Sequence, residues 1–173
     1  ALGLGAATID VAYTATNSAI DVAKKNKNKL VAARQPGVDR TKIQSELDEL
    51  QNQLQSIGDS AVFSGQNWLS TDSSVAGYNA TKSIVASFTR SAGAISIGTI
   101  NVDTSGTKLY DAGAGATQVG IIDGLRDATG AIAAAGFSVA TLDISALTDS
   151  AGERTTLESY ISGSDKAISE LTD

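Results

Sequence analysis

Cysteine, histidine and methionine are all absent from the 173 residues, and proline occurs once. Without cysteine there is no disulfide framework, no thiolate zinc site and no thiol nucleophile. Without histidine the commonest general base and the commonest metal ligand are both missing. Serine–lysine and carboxylate-only catalysis stay chemically open, but no serine here is paired with a base by pattern. Aromatics are sparse: Trp68, four Tyr and three Phe. No apolar run reaches the ~20 residues that span a bilayer, and no signal-peptide pattern opens the chain. We therefore expect no metal, no cofactor, no membrane span and no enzymatic activity.

What is present is Ala, Gly, Ser and Thr in abundance, with Val, Ile and Leu as the apolar stock. That mixture suits long packed helices with a light β portion better than a dense enzyme core. Net charge is −6, unevenly spread: seven of the thirteen basic residues fall between Lys24 and Lys42. A basic cluster can mark nucleic acid. No aromatic interleaves this one, which favours a solvated or subunit-facing helix surface over a nucleic-acid site.

Three segments follow along the chain. In the first, residues 1–69, Ile9, Tyr13, Thr16, Ile20, Ala23, Lys27 and Leu30 recur at steps of four and three, one face of a helix. Pro36-Gly37 ends it. Asp39 reads as an N-cap for a second helix. There Ile43, Leu47, Leu50, Leu54 and Ile57 form a narrow heptad seam that continues to Ala61. The short turn predicts an antiparallel hairpin, with each helix on the order of 30–40 Å long. So narrow a seam asks for further helical partners. Phe63 and Trp68 follow it and are expected to pin the hairpin to whatever comes next; ligand stacking is the other reading.

In the second segment, residues 70–142, Ser83–Thr89 and Ala94–Val102 alternate with period two and read as strands. Asp103-Thr104-Ser105-Gly106 reads as a hairpin turn into Lys108-Leu109-Tyr110. Gln118 to Thr129 suggests a short helix, while 131–135 and 137–142 are ambiguous. In the third, residues 143–173, Leu157, Ile161, Ile168 and Leu171 give a helical face, with Thr148 or Asp149 as cap and Gly163 weakening the middle. The fold class is α+β: an elongated antiparallel helical bundle with a small β-rich insertion. Both ends read as cut through helices, so we expect a piece of a longer protein.

Other motifs carry little. Gly3-Leu4-Gly5 has Thr8 where a dinucleotide loop needs its third glycine. Gly113-Ala-Gly115 lacks the Lys-Ser/Thr of a phosphate loop. Glu46, Asp48 and Glu49 cluster on the polar side of a helix, short of the six or more converging oxygens of a hard-cation site. Asn79-Ala80-Thr81 matches the N-glycosylation triplet, which is frequent by chance.

Asp39-Arg40-x-x-Ile43-Gln44-x-Glu46-Leu47, the heptads after it, and Phe63-Ser64-Gly65 leading to Trp68-Leu69 closely resemble bacterial flagellins. Ala12–Asp21 and Trp68 are similar to rhizobial and related alphaproteobacterial flagellins, and Ser164–Ile168 to the start of the family's C-terminal core helix. The resemblance covers about half the chain. It leaves out the insertion, which suits a family with a variable centre. It implies a structural subunit that polymerises into the extracellular flagellar filament. The implied partners are other flagellin subunits, an export chaperone and the filament cap, with export through the flagellar type III channel. Missing terminal helices would leave this piece monomeric. An innate Toll-like receptor binds many flagellins at a stretch matched here by Asn26, Lys27, Asn28, Lys29 and Leu30. Lys29 stands where that stretch carries an acid, which predicts no binding. A hook–filament junction protein and a carbohydrate-binding surface homologue or adhesin are the alternatives.

Overall fold

The computed structural model describes residues 2–63, 65–113 and 120–173. Its long axis is α1 (Leu2–Ala32), roughly 46 Å at ~1.5 Å per residue. After the Pro36 turn, α2 (Arg40–Ser60) runs back along it, started by Asp39, whose carboxylate accepts from the Lys42 amide at 3.1 Å. Two short pairs follow. The strands β1 (Val62–Phe63) and β2 (Gln66–Asn67) pair antiparallel, and β3 (Ser70–Thr71) pairs in parallel with the later β6 (Tyr110–Asp111). Between them stands a long antiparallel hairpin, β4 (Thr81–Ser91) and β5 (Ala94–Asp103). The chain closes with α3 (Ala151–Thr172).

Ion pairs fix the directions. Lys29 meets Glu46, Lys27 meets Asp165 and Arg34 meets Glu158. Along the two pairs to α3 the earlier number rises as the later one falls, so α1 is antiparallel to α3; it is antiparallel to α2 as well, since Lys29 lies by Glu46 while Ala7 lines a groove with Ala61. Apart from β6, the described residues between Thr104 and Leu147 form turns and isolated bridges packed against the helices. From this stretch Leu109, Tyr110, Ile121, Ile122 and Val139 join Ala19, Leu50, Leu54 and Ala167 in one apolar cluster. Leu142 and Ile144 join Leu30, Leu47, Leu157 and Ile161 in a second. The fold is a helical bundle with an inserted β portion.

Several expectations are corrected. Ile9 and Tyr13 are exposed; the inner face of α1 is Ala19, Val22, Ala23, Asn26, Leu30 and Ala33. Small side chains sit there because close helix approach leaves no room for larger ones. Residues 120–129 make turns and a bridge instead of a helix, while Gln118 lies outside the described residues. A Cβ on Gly120 would come within 2.6 Å of the Leu109 carbonyl oxygen, so this glycine serves close backbone approach. The Asp103–Gly106 turn joins no hairpin, because the strand after it pairs with β3. The true hairpin turn is Ala92-Gly93, both at positive φ (50° and 83°). The N-cap of α3 is Ser150, accepting from the Glu153 amide at 3.3 Å, and Glu153 bonds back to Thr148 and Ser150. Gly163 does not break α3. It makes room for Phe137, whose ring would lie 2.6 Å from a Cβ there.

Candidate assembly surface and its braces

Leu47, Leu50 and Leu54 of α2 are buried, and Ile43 and Ile57 are half-buried against the same two clusters. The Asp39 cap sets the helical phase, and steps of three and four turn these five residues to one side. Trp68 is buried between α1 and the β4–β5 hairpin. It lines one hollow with Leu4, Thr8 and Ile84, and another of about 320 Å³ with Ile9, Tyr13 and Val102. Its indole N–H donates to Gln66 at 3.2 Å. Phe63 is half-buried in β1.

The stretch Asn26–Leu30 is largely committed within the chain. Asn26 and Leu30 are fully buried, Lys27 pairs with Asp165 at 2.5 Å, Lys29 pairs with Glu46 at 3.2 Å, and Asn28 is exposed. The acidic cluster is likewise engaged: Glu46 holds Lys29, and Asp48 accepts from Gln44 at 2.7 Å. Among the described residues, no group of three or more acidic side chains is arranged to hold a metal ion. Tyr78 carries Lys82 and Lys108 over its ring at 5.3 and 5.7 Å, a cation–π arrangement.

Buried polar braces hold the irregular segment to the helices. Gln44 accepts from the Ile144 amide at 2.9 Å, and Gln51 donates to the carbonyls of Val139 and Leu142. Arg40 bonds the Ala33 carbonyl and the Asp149 carboxylate, joining the end of α1 to the approach to α3. That guanidinium, helped by the Gly37 amide, holds Asp149 below the usual carboxylate range. Arg126 is fully buried. It donates to the carbonyls of Gly130 and Ile121 and to Glu170 at 3.0, 2.9 and 2.6 Å.

The pair Lys108–Asp111, at 2.6 Å, is buried on both sides. Burial alone would raise the Asp111 pKa. Hydrogen bonds from Lys108, Ser73 and Gly113 outweigh it and hold the carboxyl well below its ordinary range. Burial pushes the Tyr110 hydroxyl up, with Asp123 and Asp59 adding to the rise. Sequence reasoning missed Arg40, Gln44, Gln51, Lys108, Asp111 and Arg126 as braces. Lys108, Asp111 and Arg126 stand singly among turn residues with no periodicity to mark them as buried, and the polar residues Arg40, Gln44 and Gln51 of α2 read as solvent-facing.

Apolar surface remains open along the flank. A groove of about 460 Å³ between α1 and α2 is lined by Ala7, Val11, Ala15, Ile57 and Ala61. These observations define a long braced helical bundle with an open apolar groove between α1 and α2.

Comparison with known proteins relates that bundle to a family. Residues 1–74 match the bacterial flagellin N-terminal helical region. The chain is 53% identical over 112 residues to Flagellin C of Rhizobium meliloti (strain 1021), covering 64% of this chain and 34% of that one. It is 48% identical over 125 residues to Flagellin B of the same strain, covering 71% and 30%. To the flagellin of Brucella melitensis it is 32% identical over 108 residues, covering 62% and 36%. Over these stretches the chain is similar to bacterial flagellins, and its residues 1–74 carry their N-terminal helical region. It spans about a third of the length of these relatives.

Proposed function

We propose that this chain is part of a structural, non-catalytic subunit of the bacterial flagellar filament, serving motility. The observation that carries this is the flagellin N-terminal helical region over residues 1–74, which contains the whole α1–α2 hairpin. The subunit assembles with other flagellins by helical packing. Burial of Leu47, Leu50 and Leu54 beside the half-buried Ile43 and Ile57 supports a coiled-coil-like seam within the subunit. The open α1–α2 groove supports contacts between subunits. Residues 1–69 and 143–173 form the helical core portion and 70–142 the outer portion. The position of Trp68 between α1 and the β4–β5 hairpin supports its role, with Phe63, as the anchor between the two.

The same reading makes the protein extracellular, exported by the flagellar type III system with a chaperone and polymerised beneath a filament cap. The 173-residue chain alone is monomeric. The stretch Asn26–Leu30 does not bind the Toll-like receptor. Asn26 and Leu30 are buried, and the partly exposed Lys27 and Lys29 are held in ion pairs, leaving Asn28 as the exposed side chain outside such a pair. Signalling by the purified full-length protein at ordinary flagellin doses would refute that part.

Immuno-electron microscopy with antibodies against this chain tests the main reading. Continuous labelling along flagella is expected. Labelling at one point near the hook would indicate a junction protein, and labelling of the cell body alone would reject the filament role.

A further inference from the structure

The core is divided. Ala19, Val22, Ala23, Leu50, Leu54 and Ala167 belong to one apolar cluster, and Leu30, Leu47, Leu157 and Ile161 to the other. On α1 the residue that falls between them is Asn26. On α3 it is Ser164, between Ile161 and Ala167. Asn26 is fully buried and Ser164 is 2% exposed. The Asn26 side-chain amide nitrogen, its side-chain carbonyl oxygen and the Ser164 hydroxyl are all buried with no hydrogen-bond partner among the described residues.

The two residues share one level of the bundle. Their chain neighbours Lys27 and Asp165 are ion-paired across α1 and α3 at 2.5 Å. Ser164 also departs from other hydroxyls of its helix. Thr155 and Thr172 return their hydroxyls to the carbonyl four residues back, as helical Ser and Thr commonly do. A buried amide without partners is costly, and native interiors satisfy such groups with protein or with ordered water. Asn26 offers two donors and an acceptor, and Ser164 offers one donor and two acceptor sites. Together they supply the two to four polar partners that an internal water needs.

We propose that Asn26 and Ser164 form a polar layer that holds an internal water molecule between the two apolar clusters and fixes the register of α1 against α3. A shift of α1 by one turn would set Asn26 among leucines and bring an apolar side chain to Ser164. The layer therefore penalises wrong registers that the small-residue face of α1 would otherwise tolerate.

Two measurements on the full chain test this. In the native protein, the Asn26 side-chain amide protons should show cross-relaxation to a water bound longer than a nanosecond. Their absence, or a direct Asn26–Ser164 hydrogen bond, overturns the proposal. In a double-mutant cycle, Asn26→Ala and Ser164→Ala should be coupled. Their separate effects on the unfolding constant, multiplied together, should differ from the double variant's by roughly fivefold or more. A product equal to the double variant's effect would mean that the two share nothing, and would also overturn it. If Asn26→Ala does not fold, Asn26→Ser keeps a polar group in place and completes the cycle.

Discussion

Arg126 offers the sharpest test of how the irregular segment is held. Its guanidinium is fully buried, while the partner Glu170 is 40% exposed in its side chain. Two contributions can then be separated. The ion pair itself is half in water, so its worth is that of a surface pair, at most about 1 kcal/mol. The bonds to the Gly130 and Ile121 carbonyls are buried. Arg126→Met keeps the stem but orphans both carbonyls, at about 1–3 kcal/mol each. The expected loss is therefore about 2–6 kcal/mol, a large part of a typical 5–15 kcal/mol stability. At about 2–4 °C per kcal/mol for a chain of this size, Tm should fall by roughly 5–20 °C. Glu170→Gln should fall within the first contribution alone. Urea unfolding of both variants, compared at constant m, measures the difference. Equal losses for the two would refute the reasoning, because the ion pair and not the carbonyl bonds would then be the brace.

Other expectations follow from the same geometry. Leu50→Ala should cost about 2–5 kcal/mol in thermal unfolding; an unchanged Tm would show that Leu50 contributes nothing to the isolated chain. Gly163→Ala should destabilise despite better helix propensity, because its methyl would meet the Phe137 ring; a rise in Tm would show that the ring yields freely. Ala92→Gly relieves a positive φ at the hairpin turn, so amide protection in β4 and β5 should rise, and unchanged protection would place the weak point elsewhere. Asp103, Asp111, Asp127, Asp143, Asp149 and Glu153 all have lowered pKa values. Lowered values mean stability that is fully present above the ordinary 3.8–4.5 range and lost as pH falls through the folded values. Tm should hold from pH 7 to about 5 and fall below about 4; a flat profile to pH 3 would contradict the hydrogen bonds assigned to these carboxylates.

The helices and the long hairpin were legible because each has a period and a boundary. Asp39 caps one helix, Pro36 ends the other, and Ser83–Thr89 and Ala94–Val102 alternate. The stripe through Ile9 and Tyr13 misled because periodicity marks an apolar face without saying what covers it. In this chain the covered face is the alanine-rich one, since small side chains let α2 and α3 approach closely. Apolar residues at the start of α1 stay outside, beside the hollow that Trp68 also lines.

The segment from Thr104 to Leu147 was the hardest to read, yet it supplies much of the core. Its buried larger apolar residues come in pairs or singly, as Leu109-Tyr110, Ile121-Ile122, Val139, Leu142 and Ile144. No window of that kind shows a period of two or 3.6. A chain without regular structure can still be buried only if other groups satisfy its backbone. Here Gln44, Gln51 and Arg126 supply some of those bonds, beside backbone pairs such as Ile122 to Leu109 and Ala140 to Ile122. Gln44 and Gln51 lie seven residues apart in α2, so they form a second heptad row beside Leu47 and Leu54. One row buries leucine against α1 and the segment; the other hydrogen-bonds the segment's backbone. A glutamine in a helix ordinarily reads as solvent-facing. Two of them one heptad apart become legible as braces only when the backbone groups facing them, the carbonyls of Val139 and Leu142 and the amide of Ile144, are considered alongside them.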